Sequence, residues 1–584
     1  MGQTGNNVVN SNSEQYKLYL SRNASEENLT QIPSDALEFT VGDSFIELDN
    51  VDNTVTFTGD KCFVYREFES SGDGIAVFRI GADWFITGYL NGEEVFSTKQ
   101  GSNALFKVWE FEVHCRKGRN LLTFEIGRGR ATSLFFFGEG HGASTDALAP
   151  VDITADPDKE CGRIKFMNAI NNAPVEQTMQ AWQEAKISYV RNHDASISGY
   201  GSAHLVDVHM IFPDFSRDPY DPASYDFVLS DKYHKLIIDG GSKIFYRLGS
   251  RIEHEPKKYG TIMPPDFKKW AVICEHIIRH YTEGWADGFN YDIEYWEIWN
   301  EADMSSGAEN KRTWSGTDEE FFEMYRVAAL HLKKKFPHLK IGGPALACTF
   351  SWMKDFLAYM AKDERVPIDF FSWHIYGTDP DNVVKIGRFV DDILEQYGYG
   401  DAENILNEWN YIRSGMEYSY NPLVIHGMKG AAFAMSAMLA GQNSTVDMLM
   451  YYDARNGTWY NGIFDFYTRE VLKTYYTFVI WSKLLELGRQ FEVEIKSGAG
   501  IYAVGATDGN GRIGIAVSRY FDDDDLPPEV PVSIRLKDFL LHGVTLYLLD
   551  HDNDLTKSAC SISADGILSF SMKANSVVYI ENVI

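Results

Sequence analysis

Two glutamates stand directly after segments that read as buried strands. Glu301 follows Tyr295–Trp299, and Glu408 follows Ile405–Asn407. Two carboxyl groups that converge on one bond suit glycoside hydrolysis, because one protonates the leaving oxygen while the other attacks the anomeric carbon or activates water. A separation of about 5–5.5 Å would mean retention through a covalent intermediate. We expect Glu301 to be the acid/base, kept protonated by desolvation and mutual repulsion, and Glu408 to be the ionised nucleophile.

The two glutamates can meet only if their strands belong to one closed sheet. Between about residues 160 and 480, short apolar runs alternate with amphipathic helical stretches. The strand candidates are Arg163–Met167, Ser188–Asn192, Lys243–Leu248, Tyr295–Trp299, Lys340–Gly343, Asp369–Trp373, Asn404–Asn407 and Asp447–Tyr451. These eight units predict a (β/α)8 TIM barrel, in which the ends of strands four and seven face the same mouth. No GxGxxG motif follows the first strand, so a dinucleotide-binding fold is rejected.

Strand patterns on both sides of the barrel predict two β-sandwiches. An Asn-Gly turn at residues 91–92, among repeated short strands, predicts an N-terminal jelly-roll sandwich at 35–155 that is carbohydrate-binding-like. The barrel is expected at 156–484, and the strand candidates that follow it predict a C-terminal β-sandwich at 485–584. The polar residues 1–34 are expected to be a flexible lead-in or a strap across another domain.

Three motifs of the barrel region resemble one family of glycosidases. They are Trp296-Glu297-Ile298-Trp299-Asn300-Glu301, Trp314-Ser315-Gly316-Thr317 and Lys340-Ile341-Gly342-Gly343-Pro344-Ala345. They look like the β-xylosidase and α-L-iduronidase family, glycoside hydrolase family thirty-nine of clan A, over roughly 160–490. The resemblance implies a retaining mechanism with Glu301 as acid/base and Glu408 as nucleophile, and contact of Asn300 with the sugar 2-hydroxyl. Ala302 stands where the family usually has Pro, which bears on the subfamily more than on the mechanism.

Further polar and aromatic residues lie at predicted strand ends. The clan resemblance implies that Arg191 keeps the nucleophile anionic through a charge-assisted hydrogen bond. Tyr376 is expected to bond the nucleophile, and His374 to bond the substrate or the acid/base. Because sugar C–H faces stack on aromatic rings, Trp409 is expected to form a wall of the first subsite. Trp459 is left open between a sugar platform and a core residue. The remaining substrate-binding candidates are His193, His209 and Asp453.

The composition excludes several classes of partner. The 584 residues include 54 Lys and Arg against 83 Asp and Glu, a formal net charge of −29. A surface this acidic repels phosphate backbones, so nucleic acid is not expected as a partner. No run of 18 apolar residues is present, so no membrane span is expected. The six Cys are scattered without a CxxC pair, and we expect no metal, no cofactor and no disulfide scaffold.

The start of the chain bears on location. Residues 1–7 lack the charged and apolar regions of a signal peptide. A cytoplasmic location is therefore expected if Met1 is the native start, and the location is left open if a leader was removed. The expected partner is an oligosaccharide or polysaccharide, and a homo-oligomer is left open.

The expected function is a retaining glycoside hydrolase of plant-type or other neutral glycans, most like an exo-acting β-xylosidase. Alternatives on the same machinery are an arabinosidase, an endo-glycanase or an iduronidase-like enzyme, the last needing a cation such as Arg247 or Arg251 for the sugar carboxylate. A non-catalytic carbohydrate-binding protein is the alternative of a different class, and the presence of both glutamates argues against it. The acidic run at 522–525 reads as a solvated loop rather than a calcium site, because it lacks the ligand spacing of a calcium loop.

Overall fold

The computed structural model describes residues 16–21, 29–42, 45–48, 61–82, 85–98, 107–127, 134–139, 147–197, 204–347, 349–413, 419–537, 543–563 and 565–582. Within these residues the chain forms two sheets on the N-terminal side, a closed barrel of parallel strands, and one long sheet that holds the C-terminal strands. The predicted fold class, a (β/α)8 barrel with β-sandwiches on both sides, is confirmed.

The barrel strands follow the predicted pattern. Among the described residues they are Phe166–Asn171, Tyr189–Arg191, Lys243–Leu248, Tyr295–Ile298, Lys340–Leu346, Phe370–Gly377, Glu403–Tyr411 and Met448–Tyr451. Each strand pairs in parallel with its neighbours, and the first pairs with the last to close the ring. The first strand begins at Phe166 rather than at Arg163, because Arg163 ends a different strand and pairs there with Arg489.

Helices with clear start and stop signals surround the barrel. Thr317 begins one of them by accepting a hydrogen bond from the Glu320 backbone, and the Glu320 side chain accepts one from the Thr317 backbone. The described helices of this region are Met179–Ala185, Val208–Ile211, Val228–Asp239, Phe267–Glu283, Asp318–Lys335, Phe350–Ala361, Asn382–Gln396, Tyr420–Ile425, Met428–Gln442 and Lys473–Leu487, with 3-10 turns at Glu176–Thr178, Pro222–Ser224 and Ala302–Ser305. None of the described helices is both long and apolar enough to cross a membrane.

Side chains fill the barrel interior in two layers of different chemistry. Successive strand residues point alternately to the interior and to the helices, so an inward position recurs every second residue. The lower layer is an apolar cluster of Ala169, Tyr189, Phe245, Tyr295, Phe370, Ile405, Met448 and Met450. Two residues further along their strands are the buried polar residues Asn171, Arg191, Arg247, Glu297, Ser372 and Asn407. This polar layer is the floor on which the mouth of the barrel is built.

The N-terminal sandwich consists of two antiparallel sheets. Among the described residues, the strands of the first are Tyr16–Ser21, Leu37–Val41, Lys61–Ser70, Ile86–Leu90, Glu93–Ser97 and Gly118–Gly127. Those of the second are Ile46–Glu47, Gly74–Ala82, Lys107–Cys115 and Leu134–Glu139. The predicted hairpin turn is present, with φ angles of 51° at Asn91 and 90° at Gly92.

The expectation of a flexible lead-in over 1–34 is corrected in part. Tyr16–Ser21 is a strand, because it pairs with both Leu37–Val41 and Lys61–Ser70 and buries apolar side chains in the sandwich core. Residues 1–15 and 22–28 of the predicted lead-in lie outside the described residues.

The C-terminal sandwich is one sheet that closes over its own core. Its described strands are Val151–Arg163, Arg489–Ser497, Ile501–Thr507, Ile513–Arg519, Val530–Leu536, Val544–Leu549, Thr556–Ser558, Ser561–Ile562, Ile567–Met572 and Ser576–Asn582. Val532 and Val578, from the two halves of the sheet, share one apolar cluster. Val151–Arg163 precedes the barrel but pairs with strands that follow it. The expected boundary at residue 155 falls inside this strand.

The outer face of the C-terminal sheet covers the barrel. Helix Met428–Gln442 buries every residue except Lys429. The sheet side chains Val504, Ala506 and Ala516 belong to the same apolar core as this helix. Because these sheet side chains are small, the sheet and the helix can approach closely.

The acidic run after strand Ile513–Arg519 is a largely exposed loop, as expected, and two of its carboxylates also contact the barrel. Asp522 accepts a hydrogen bond of 2.7 Å from the Tyr411 hydroxyl. Asp524 lies 3.0 Å from the Lys429 ammonium and 3.3 Å from the Arg413 guanidinium. Barrel cations therefore supply the positive charge that these carboxylates need.

Candidate active site

Glu301 reaches the mouth through a strained turn after strand four. Trp299 and Glu301 both have left-handed backbones, with φ angles of 76° and 49°. This conformation costs a non-glycine residue about 1–3 kcal/mol and is concentrated at functional sites. The Glu301 backbone N–H donates to the Ala345 carbonyl at 2.9 Å. Asp303 accepts hydrogen bonds of 3.0 and 3.2 Å from two backbone N–H groups after strand five. These bonds hold the turn that contains Ala302.

Glu408 points into the barrel because strand seven contains a β-bulge. In the pairing with strand six, Leu406 lies opposite Trp373 and Glu408 lies opposite His374, so Asn407 is the extra residue. Such an insertion turns the following side chain to the other face of the strand. Asn407 and Glu408 therefore both point to the interior, where they bond Glu297 and Arg191 respectively.

The same bulge corrects the expectation for Trp409. This side chain was expected to form a wall of the first subsite, but it points away from the mouth. It is buried at ring-centroid distances of 5.3 Å from Tyr451 and 6.2 Å from Phe433. Because Glu408 takes the inward position after the bulge, its neighbour Trp409 takes the outward one.

The two carboxyl groups face each other with a histidine between them. One oxygen of Glu301, one oxygen of Glu408 and a ring nitrogen of His374 all lie within 4.8 Å of one another. His374 Nδ1 is 2.7 Å from Glu301 Oε1 and 3.5 Å from Glu408 Oε2. This separation matches the spacing of about 5–5.5 Å between the carboxyl groups of a retaining pair.

Arg191 and Tyr376 bind Glu408 from two sides. Arg191 donates from its NH1 nitrogen to Glu408 Oε1 at 2.7 Å, and the Tyr376 hydroxyl donates to Oε2 at 2.9 Å. Arg191 also donates to the Asn300 side-chain oxygen at 2.7 Å. The amide nitrogen of Asn300 is buried and has no hydrogen-bond partner among the described residues. The structure thus brings three predicted site residues, Arg191, Tyr376 and Asn300, together with His374 and the glutamate pair.

Glu297 is a member of this network that the sequence analysis missed. It accepts a hydrogen bond of 2.7 Å from Arg191 and one of 2.6 Å from the Ser372 hydroxyl, and it also accepts from Asn407. Asn171 accepts a further bond from Arg191 at 3.2 Å. The available signal was a charged residue at an inward position of an apolar strand, which is costly unless it is paired.

The pKa values of the two glutamates are shifted by different neighbours. Burial raises the pKa of Glu301 to about 7, although the Arg191 charge opposes the rise. Burial also raises the pKa of Glu408, but His374, Arg191 and the Tyr376 hydrogen bond lower it. Burial lowers the pKa of His374 to about 4, so its ring is neutral at neutral pH. The arrangement can therefore hold a proton on one carboxyl group beside an anionic one.

Three other candidates lie around this pair. His193 is buried, with Nε2 3.8 Å from Glu408 Oε1, and burial together with the Arg191 charge lowers its pKa. Asp453 is fully buried and accepts a hydrogen bond of 3.1 Å from the Arg455 backbone. Trp459 is half-buried and stacks on Tyr460 at 3.8 Å between ring centroids.

His209 contacts a second group of side chains, and its place in the substrate site stays a prediction. It lines a separate, largely apolar cavity of about 220 Å³ together with Trp299 and Trp270. Its ring lies 5.1 Å from that of His204.

Among the residues that the structure describes, two groups of side chains have the donor types of a metal site. They are Glu301, His374 and Glu408, and His204, His209 and Glu253. In the first group, the Arg191 guanidinium already forms an ion pair with Glu408. In the second, the Glu253 carboxylate accepts hydrogen bonds from three backbone N–H groups and a threonine hydroxyl. Because protein groups already engage these donors, we assign no metal to either group.

Comparison with known proteins agrees with this geometry. The family model for Glycosyl hydrolases family 39 matches residues 159–396. The chain is 34% identical over 168 residues to a β-xylosidase of Caldicellulosiruptor saccharolyticus, covering 27% of this chain and 32% of that protein. It is 35% identical over 147 residues to a β-xylosidase of Geobacillus stearothermophilus, covering 24% and 25%. The barrel region is therefore similar to glycosyl hydrolases of family 39. The chain thus matches a third or less of the length of these two relatives.

Solved structures share the fold of this barrel. A glucosidase from Croceicoccus marinus superposes with a TM-score of 0.61 at 24% identity, covering 75% of this chain and 100% of that one. A monomeric β-xylosidase from Caulobacter crescentus CB15 gives a TM-score of 0.56 at 18% identity, covering 74% and 99%. At these identities the likeness shows the fold alone.

Proposed function

We propose that this protein is a retaining glycoside hydrolase that cleaves neutral glycans by double displacement and acts most like an exo-acting β-xylosidase. One observation carries the proposal: oxygens of Glu301 and Glu408 converge to within 4.8 Å, while their hydrogen-bond partners differ. The convergence fits a retaining pair, and the different partners fit two different roles.

In the first step, Glu301 gives its proton to the glycosidic oxygen while a Glu408 oxygen attacks the anomeric carbon. The bond to the leaving group breaks, and a covalent glycosyl ester forms on Glu408. With a pKa of about 7, Glu301 is largely protonated below neutral pH and about half protonated at pH 7. Arg191 and Tyr376 stabilise Glu408 as the attacking anion through their hydrogen bonds.

In the second step, the ionised Glu301 takes a proton from a water molecule that attacks the glycosyl ester. The ester bond breaks, Glu408 leaves as a carboxylate, and the product has the configuration of the substrate. His374, which is hydrogen-bonded to Glu301, is neutral at neutral pH. It therefore adds no positive charge that would lower the pKa of Glu301. The unpartnered amide of Asn300 is placed to donate to a sugar hydroxyl.

The surroundings favour a neutral sugar. Arg247, a cation that a uronate-binding site would need, is fully buried and paired with Asp207 at 2.6 Å. The net charge of −29 disfavours polyanionic chains as well. Two curated relatives are named β-xylosidases, which makes a β-linked pentose the first substrate to test.

The test is a screen of 4-nitrophenyl glycosides, followed by NMR of the first product. We expect β-xyloside to be hydrolysed, with the β-anomer of xylose appearing before mutarotation. Glu408→Ala serves as the inactive control. First appearance of the α-anomer would remove the covalent mechanism, and hydrolysis of none of the glycosides would remove the proposed function.

A further inference from the structure

A cavity of about 540 Å³ opens between loops that follow barrel strands two, three, seven and eight. Its size lies within the range of cavities that hold small ligands, about 300–1,000 Å³. The lining includes Ser196, Arg251, His426, Arg455, Trp459 and Tyr467. Polar groups are thus placed around one large aromatic surface, which is the composition of a sugar-binding site.

A chain of aromatic contacts connects this cavity to the nucleophile. Trp459 in the cavity wall stacks on Tyr460 at 3.8 Å between ring centroids. Tyr460 lies 5.9 Å from Tyr376, which donates its hydrogen bond to Glu408. Two aromatic contacts therefore separate Trp459 from Tyr376, the tyrosine that binds Glu408. A disaccharide whose first ring lies over Glu408 could place its second ring at Trp459.

A second, polar chain of contacts leads to the same carboxylate. Arg455 in the cavity wall lies 3.0 Å from Asp194. Asp194 lies 3.7 Å from His193, whose Nε2 is 3.8 Å from Glu408. Because both chains end at Glu408, and because Glu301 must lie beside the leaving group, the cavity is on the glycone side of the catalytic pair.

The charges of the cavity are balanced. Arg455 is paired with Asp194, and its guanidinium also lies 3.6 Å from the buried Asp453. Arg251 lies 3.5 Å from Glu255 and donates to His204 at 2.8 Å. Each guanidinium thus has a carboxylate near it, so the cavity offers hydrogen-bond donors without an excess of positive charge. This composition favours a neutral sugar over an acidic one.

We propose that this cavity is a second glycone subsite, which binds a neutral sugar residue linked to the one held over Glu408. The indole of Trp459 stacks on the C–H face of that residue, and Arg251 and Arg455 donate to its hydroxyls. The inference rests on the proposed function and refines it. The enzyme still acts from the chain end, but its preferred substrate has two sugar residues on the non-reducing side of the cleaved bond, so it releases a disaccharide rather than a single xylose.

The test compares 4-nitrophenyl β-xyloside with 4-nitrophenyl β-1,4-xylobioside, which have the same leaving group. We expect the full chain to release nitrophenol directly from the xylobioside, with xylobiose as the first sugar product. We expect its kcat/KM to be about tenfold higher than on the xyloside, and Trp459→Ala to reduce this ratio to about one. Tyr220→Ala, which removes an exposed aromatic elsewhere, is the matched control and should leave the ratio unchanged.

A ratio that Trp459→Ala does not change would overturn the subsite, as would nitrophenol release only after free xylose appears. If neither glycoside is hydrolysed, the proposed function fails for xylose, and calorimetry of Glu408→Gln with xylose and xylobiose decides on the subsite. Binding of xylobiose about tenfold tighter than xylose, lost in the additional variant Trp459→Ala, supports it. Equal affinities, or no binding of either sugar, overturn it.

Discussion

Glu301 and Glu408 carry the same functional group in different surroundings. Glu408 has a guanidinium at 2.7 Å and a tyrosine hydroxyl at 2.9 Å, whereas Glu301 bonds a histidine that burial keeps neutral. Burial favours the protonated form of both carboxyl groups, but only for Glu408 does a directly bonded cation oppose it. The proton therefore resides on Glu301.

The proposed acid role of Glu301 predicts that activity depends on the leaving group of the substrate. In Glu301→Gln, kcat/KM should fall about 10²–10⁴-fold for substrates with poor leaving groups, because these need protonation in the transition state. Substrates with good leaving groups should lose far less. The measurement is kcat/KM over a series of aryl glycosides, with Glu184→Gln, an exposed acid, as the control. Equal losses across the series would contradict an acid role.

The pKa of Glu301 also predicts the pH profile. Activity needs Glu301 protonated and Glu408 ionised, so kcat/KM should fall above about pH 7 as Glu301 loses its proton. It should fall again in acid as Glu408, whose pKa is raised by burial, gains one. Measured on a substrate with a good leaving group, Glu301→Gln should lack the alkaline limb. An unchanged alkaline limb in that variant would assign this ionisation to another residue.

At the scale of elements, a single extra residue in strand seven sets the direction of Glu408, the proposed nucleophile. The bulge at Asn407 lets two consecutive side chains enter the barrel and sends Trp409 to the helices. Bulges are common next to active sites because they redirect side chains in this way.

Trp409→Phe tests this geometry. The indole packs against Tyr451 and Phe433, so the substitution should lower the free energy of unfolding by about 1–3 kcal/mol. KM for an aryl glycoside should stay within about twofold of the wild-type value, because the side chain does not reach the mouth. Denaturant unfolding and steady-state kinetics check the two expectations. A KM raised tenfold with unchanged stability would place Trp409 back in the subsite.

The sequence predicts the barrel and the positions of both glutamates, because alternating apolar runs and strand-end polar residues are local patterns. The directions in which the Glu408 and Trp409 side chains point cannot be predicted from such patterns, because no residue type marks the bulge at Asn407. Glu297 was missed because its role depends on Arg191, Ser372 and Asn407, which come from other strands. Long-range pairing of this kind follows from the tertiary structure alone.

On the scale of the whole molecule, the C-terminal sheet completes the core of the barrel. Helix Met428–Gln442 has almost no solvent-exposed face, and sheet residues such as Ala516 cover it. Asp522 and Asp524 add polar contacts to Tyr411 and Lys429, close to the nucleophile strand. The sheet and the catalytic barrel are therefore expected to unfold together.

Ala516→Asp should destabilise the barrel as well as the sheet. It places an unpaired charge at a fully buried position, which costs about 3–5 kcal/mol. Activity and barrel structure should be lost at the same, lower temperature, as followed by residual hydrolysis and near-UV circular dichroism. Ser571→Asp, at an exposed position of the same sheet, is the control and should behave like wild type. A sheet that melts in Ala516→Asp while hydrolysis persists would show that the barrel is independent.

The most direct test of the division of roles between the two carboxyl groups is azide rescue followed by NMR of the product. With an aryl glycoside that has a good leaving group, azide should restore activity to Glu408→Ala and give a glycosyl azide of inverted configuration. In Glu301→Ala it should give the azide of retained configuration, because the glycosyl ester on Glu408 still forms. Rescue of neither variant, or the opposite pair of configurations, would contradict the assignment of acid/base and nucleophile.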